Sequence, residues 1–213
     1  MADLRFDDPE TLEDLRTYVA RARTLDADGA IRLRSDGLAL AAYVNVLPGR
    51  GLAMTGAIIG LRVMALAEPA EVDVIVSLAS VSDRLARGRS SPGSARDTFS
   101  VPTATVRAGW AAVAPPRSGW ELVGDLPAED LRTVATHGIA EITEGVPSGS
   151  GAQVVAAMRQ RVWGRESRTI PPVPSGAAFA AYALGFLTQE SVRVCAHGRW
   201  TRLSTATGHV LVR

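Results

Sequence analysis

The sequence predicts an α+β fold: an N-terminal antiparallel sheet with one or two helices, then three helices followed by a three-stranded antiparallel meander. Three observations predict it. A capped amphipathic helix near the start leads into alternating and β-branched runs, three helical stretches follow residue 127, and glycine turns divide the segment from Ser191 to Arg213 into short strands.

Asp8-Pro9-Glu10 supplies an N-cap, a proline at the first helical position and an acid in the first turn. Leu12, Leu15, Val19 and Ala22 then recur at helical spacing, so a helix is predicted from Pro9 to Leu25. Ser35-Asp36-Gly37 separates two alternating runs, which predicts a hairpin pairing Ala30–Arg34 with Leu38–Leu47. Gly60–Ala67 and Val72–Leu78 read as two further strands joined by the turn Glu68-Pro69-Ala70-Glu71. Ser80–Arg87 reads as a helix, Gly88–Asp97 as a mobile loop, and Phe99–Pro102 as a short edge strand.

Prolines and glycines crowd residues 114–127 and predict a boundary, with parts at 1–120 and 121–213 packed as one globular unit. Beyond it, helices are expected over Pro127–Glu144, Ser150–Trp163 and Ser175–Thr188, the last after the extended segment Thr169–Pro174. Phe179, Tyr182 and Phe186 form a core stripe on the third. In the meander, turns at His197-Gly198 and Thr207-Gly208 set Ala196 opposite Arg199 and Ala206 opposite His209. Val192, Val194, Thr201, Leu203, Val210 and Val212 then share one face. Arg193, Cys195, Trp200, Arg202, Ser204, His209 and Arg213 share the other.

All 23 basic residues are arginine. The absence of lysine excludes lysine Schiff-base chemistry, lysine nucleophiles and the P-loop lysine. One reading of the bias is GC-rich bacterial codon usage. The functional alternative is selection for the planar guanidinium fork, which binds carboxylate and phosphate bidentately and stacks on aromatic rings. Composition alone does not separate the two.

Charge is unevenly placed. Residues 1–145 hold 20 acids and 15 arginines, a balance of −5, whereas residues 146–213 hold 2 acids and 8 arginines, a balance of +6. Such halves attract each other within a chain or between copies, or attract an anionic partner. An acidic N-terminus without an apolar run predicts no secretory signal. Interrupted apolar stretches predict no membrane span, so a cytoplasmic protein is the default expectation, and the lone Cys195 agrees with it.

The basic, aromatic meander face is the most chemically loaded surface. Trp200 could stack a base there, with Arg193, Arg202 and Arg213 clamping phosphate or carboxylate. A solvated face with arginines over the tryptophan ring explains the same residues. The helix Ser175–Thr188 contains no arginine, so it does not read a nucleic-acid groove, and on that ground nucleic acid is not the expected partner. Gly149-Ser150-Gly151 could present backbone amides to an anion at a helix N-terminus, although Ser150 and Gln153 also fit a capping box. His137 and Glu141 lie four apart on one helix and could serve general acid–base catalysis, or form an ordinary solvated pair. Cys195 lacks a histidine in reach and reads as a packed residue.

No metal or cofactor is expected. The leading expectation is a non-catalytic protein that self-associates as a homo-oligomer or binds another protein. The alternatives are an anion- or nucleic-acid-binding protein using the meander face, and an acid–base enzyme using His137 and Glu141.

Overall fold

The computed structural model describes residues 2–51, 53–90, 97–112, 114–147 and 149–213. Its α+β fold orders the elements as β1 (Asp3–Arg5), α1 (Pro9–Leu25), β2 (Ala30–Leu47), β3 (Ile58–Ser77), α2 (Leu78–Ser90) and β4 (Thr98–Ser100). A 3-10 turn at Gly109–Ala112 follows, then β5 (Glu121–Pro127), α3 (Ala128–Gly145), α4 (Ala152–Trp163) and α5 (Ser175–Ala183). The chain ends in the meander β6 (Ser191–His197), β7 (Trp200–Ser204) and β8 (His209–Val212). Residues 1–46 and 61–114 form one compact unit, and residues 47–60 and 115–213 form another.

In the first unit, Asp8 caps α1 by accepting from the Thr11 amide at 2.6 Å, and Pro9 begins the helix as its fixed φ allows. Leu12, Leu15, Tyr18, Val19 and Ala22 are its buried side. Arg16 donates to the Leu85 carbonyl at 2.9 Å and Arg23 to the Ser82 hydroxyl at 3.0 Å, tying α1 to α2. The short strands β1 and β4 pair antiparallel, with Leu4 opposite Phe99.

Two expected turns are absent here. Ala30 to Leu47 is one strand, not a hairpin. Buried positions fall at 31, 33 and 35 and then at 40, 42, 44 and 46, so the alternation changes phase across Asp36-Gly37. Gly37 has φ +63°, the left-handed conformation that inserts an extra residue as a bulge without reversing the chain. Glu68-Pro69-Ala70-Glu71 likewise lies inside one strand, β3, and the even-numbered buried positions keep their phase from Met64 and Leu66 to Val72 and Val76. Of the loop expected over Gly88–Asp97, residues 91–96 lie outside the described residues, while Gly88 and Ser90 belong to α2.

In the second unit, β8, β7, β6 and β5 lie side by side in that order, all antiparallel, and the start of β3, residues 58–60, belongs to this unit as well. The strand β5 falls where the sequence suggested only a boundary. Of the three expected helices, α4 and α5 are shorter, starting at Ala152 and ending at Ala183. α5 is almost wholly buried from Gly176 to Ala181, and α3 and α4 pack on it. Trp163 at the end of α4 stacks on Phe179 with centroids 4.5 Å apart, and its ring fills the notch left by Gly138 of α3. Phe186 joins the core, while Tyr182 is exposed.

The meander is present with a changed register. His197 faces Trp200, Cys195 faces Arg202, and Ser204 faces His209. Each ladder is displaced by two positions from the expected pairing. A slip of one residue would have exchanged the two faces, whereas a slip of two restores them. Gly198, at φ +56°, occupies the tight turn that sets the new register.

Candidate functional site

Valines and Leu203 on one face of the meander are buried: Val192 and Val194 on β6, Leu203 on β7, Val210 and Val212 on β8. The register arranges the opposite face in rows across the strands. One row runs Asp125, Arg193, Ser204, His209 from β5 to β8, and the next runs Leu122, Cys195, Arg202, Leu211. Rows are ~6.6 Å apart along the strands, and neighbours across strands ~5 Å apart. Arg202 therefore sits within side-chain reach of Arg193, Ser204 and His209.

The segment before β5 covers part of this face. Trp120 donates its indole N–H to the Pro116 carbonyl at 3.0 Å, and the Arg202 guanidinium lies over its ring at 4.5 Å. His197 meets the Trp120 ring edge to face, and its Nδ1 lies 2.8 Å from the Gly119 carbonyl oxygen. A carbonyl oxygen only accepts, so Nδ1 carries a proton there. Arg213 covers the Trp200 ring at 5.3 Å and donates from Nε to the Ala53 carbonyl at 2.7 Å.

With Trp120, the four face residues thus form two stacked pairs and one exposed cation. Trp200 is buried beneath Arg213, Arg202 rests on Trp120, and Arg193 is exposed opposite Ser204. None of the three arginines forms an ion pair among the described residues. Three further atoms are notable: Arg202 Nε, Ser204 Oγ and His209 Nδ1 are buried without a hydrogen-bond partner among the described residues. Burial, and then the charge of Arg202, push the His209 imidazole down to about 4 from an ordinary 6.5. His209 is therefore neutral at pH 7.

The other sequence candidates are placed differently. His137 is exposed on α3, and Glu141 is bound by Arg165, with Arg161 at 3.9 Å. Gly149, Ser150 and Gly151 precede α4, but the Ser150 hydroxyl donates to the Pro147 carbonyl at 2.7 Å and Gly151 is the N-cap. The expected capping box is not formed. Cys195 is buried. The new register brings His209 nearer to it than expected, yet β7 and one row still separate them. Among the described residues no cluster of three or more His, Cys, Asp or Glu could hold a metal, and no helix is long and apolar enough to cross a membrane. Sequence reasoning missed Trp120, hidden in a proline-rich stretch, and the grouping of Ser204 with His209, which depends on the register.

Residues 1–112 match a family described as a domain of unknown function (DUF8010), and residues 115–213 match a second domain of unknown function (DUF8185). No curated protein matches the chain. Among solved structures, it resembles the DNA polymerase III subunit beta from Pseudomonas aeruginosa at 13% identity and a TM-score of 0.54, covering 100% of this chain and 64% of that one. A putative DNA polymerase III beta subunit from Eubacterium rectale matches at 10% identity and 0.57, covering 99% and 64%. A Pseudomonas aeruginosa DNA polymerase sliding clamp solved with ligand matches at 12% and 0.50, covering 95% and 62%. The chain thus spans less than two thirds of the length of these proteins.

This likeness overturns the expectation that nucleic acid is not the partner. That expectation rested on α5 lacking arginine. Because α5 is a buried packing helix, its composition carries no information about basic surfaces elsewhere.

Proposed function

We propose that this chain, which belongs to the DUF8010 family, is a non-catalytic, self-associating, clamp-like protein that binds nucleic acid. The observation that carries the reading is the match of nearly the whole chain to DNA polymerase III beta subunits, at TM-scores of 0.54 and 0.57. The second support is the meander face, where Arg193, Arg202 and Arg213 have no carboxylate partner among the described residues. In this reading the three guanidiniums take backbone phosphates, and Trp200 holds Arg213 in position instead of stacking a base. Binding of this kind ignores base sequence.

Self-association is supported by the oppositely charged parts of the chain. Two measurements test the proposal. Fluorescence anisotropy of a labelled duplex should show binding whose logarithm falls linearly with the logarithm of salt. Arg193→Gln should flatten that slope by about 0.9, the value of one phosphate contact. Light scattering after size exclusion should give an oligomer at low salt. No binding to DNA at any ionic strength refutes the first half, and a salt-independent monomer refutes the second.

A further inference from the structure

We propose that Arg202, Ser204 and His209 form a seat for one phosphate oxyanion on the meander face, and that filling this seat transfers a proton from solvent to His209. The proposal rests on the reading of this face as anion-binding and gives one position on it a defined chemistry.

Three observations point to the same spot. Ser204 and His209 are cross-strand partners, and Arg202 lies one row away on the same face, so the three occupy adjacent positions. Each carries a buried polar atom without a partner among the described residues: Nε of Arg202, Oγ of Ser204 and Nδ1 of His209. Buried polar groups are costly to leave unpaired, so three on adjacent positions mark a place suited to a polar partner. The chemistry selects an anion. A guanidinium and a hydroxyl are donors, and a protonated imidazole adds a third, which matches the acceptor-only oxygens of a tetrahedral oxyanion. The Trp120 ring beneath Arg202 fixes the fork without neutralising it.

The proton follows from the charges present. Besides burial, Arg202 is the charged group whose field acts on His209, and no carboxylate does so among the described residues. Arg193 lies further along the row beside Ser204, and Asp125 lies beyond it on β5, opposite Arg193. With Arg202 as the charge acting on it, His209 stays neutral. An oxyanion between Arg202 and His209 reverses the sign of the local field and favours the imidazolium. Binding consequently strengthens as pH falls.

The experiment is an NMR titration of the three histidines of the full chain, with chloride, sulfate or inorganic phosphate at matched ionic strength, and separately with a short DNA duplex. Sulfate keeps its charge across the range, so any pH dependence it shows belongs to the protein. The expected result is a rise in the His209 midpoint by about one pH unit or more with sulfate and phosphate, and none with chloride. Sulfate affinity should rise up to about tenfold per pH unit on acidification, and His209→Asn should abolish that rise. Ser204→Ala, which removes a buried orphan without enlarging a side chain, should keep the fold and weaken sulfate.

A midpoint unmoved by either tetrahedral anion overturns the seat, as does unchanged pH dependence in His209→Asn. The duplex separates the sources. If sulfate and phosphate move His209 but DNA does not bind, the seat stands as a site for a free phosphate and the nucleic-acid reading fails. If DNA binds without moving His209 while sulfate and phosphate do move it, the nucleic-acid reading stands and the seat takes a free phosphate, not the DNA backbone.

Discussion

Replacing His209 with asparagine should remove most of the acid sensitivity that this side chain gives the fold. Its imidazole is held at about 4 in the folded chain against 6.5 when exposed, so on acidification the unfolded state takes the proton first. A folded value below the unfolded one means that the stabilisation is complete above 6.5 and is lost as pH falls toward 4. From those two values, His209 costs about 0.2 kcal/mol of stability at pH 7 and about 2 kcal/mol at pH 5. Urea unfolding of both proteins at pH 7 and pH 5 gives the comparison. Carboxylates with lowered values, such as Asp8 and Asp97, are common to both chains and cancel in the difference. The wild type should lose about 2 kcal/mol more than His209→Asn between the two pH values. Equal losses, within about 0.5 kcal/mol, would show that His209 is not held neutral by its surroundings.

Two further substitutions probe the packing within each unit. Gly138→Ala would set a Cβ 2.2 Å from the Trp163 ring, which is pinned by stacking on Phe179. Overpacking of about 1–3 kcal/mol should outweigh the roughly 1 kcal/mol gained in helix propensity, lowering the melting temperature, and Trp163→Leu should relieve the clash in the double variant. Arg32 binds both oxygens of Asp73, at 2.7 and 2.8 Å, and donates to the Ala111 carbonyl at 2.8 Å. Arg32→Met should therefore cost about 1–2 kcal/mol by denaturant unfolding, because it strips a charged partner and a carbonyl together.

What the sequence made legible follows from how local each signal is. Helix α1 matches its expected bounds because Asp8, Pro9 and the apolar spacing all act within one segment. The faces of the meander were legible even though its register was not, since alternation depends on parity alone. Asp36-Gly37 misled because a left-handed glycine serves a bulge as well as a hairpin, and only the partner strand decides between them. The orphaned atoms of Arg202, Ser204 and His209 lay beyond reach for the same reason: their grouping comes from tertiary pairing across two turns.

The placement of the arginines also bears on why this chain has no lysine. Several arginines meet carboxylates, as Arg5 does with Glu68 and Asp97, Arg32 with Asp73, and Arg165 with Glu141. An ammonium could serve many such exposed pairs. Arg202 and Arg213 are different, for each lays its guanidinium over a tryptophan ring, and neither has a carboxylate among the described residues. At Arg202 a flat, delocalised cation stacks and leaves its Nε–H without a partner among the described residues, whereas lysine offers a point charge and no edge. Codon usage alone predicts that Arg202→Lys behaves like wild type. The stacked geometry predicts instead that this variant folds, keeps its net charge, and binds sulfate and duplex DNA several-fold more weakly. Anisotropy and NMR titrations of Arg202→Lys beside the wild type decide between them, and equal affinities would return the absence of lysine to codon bias at this position.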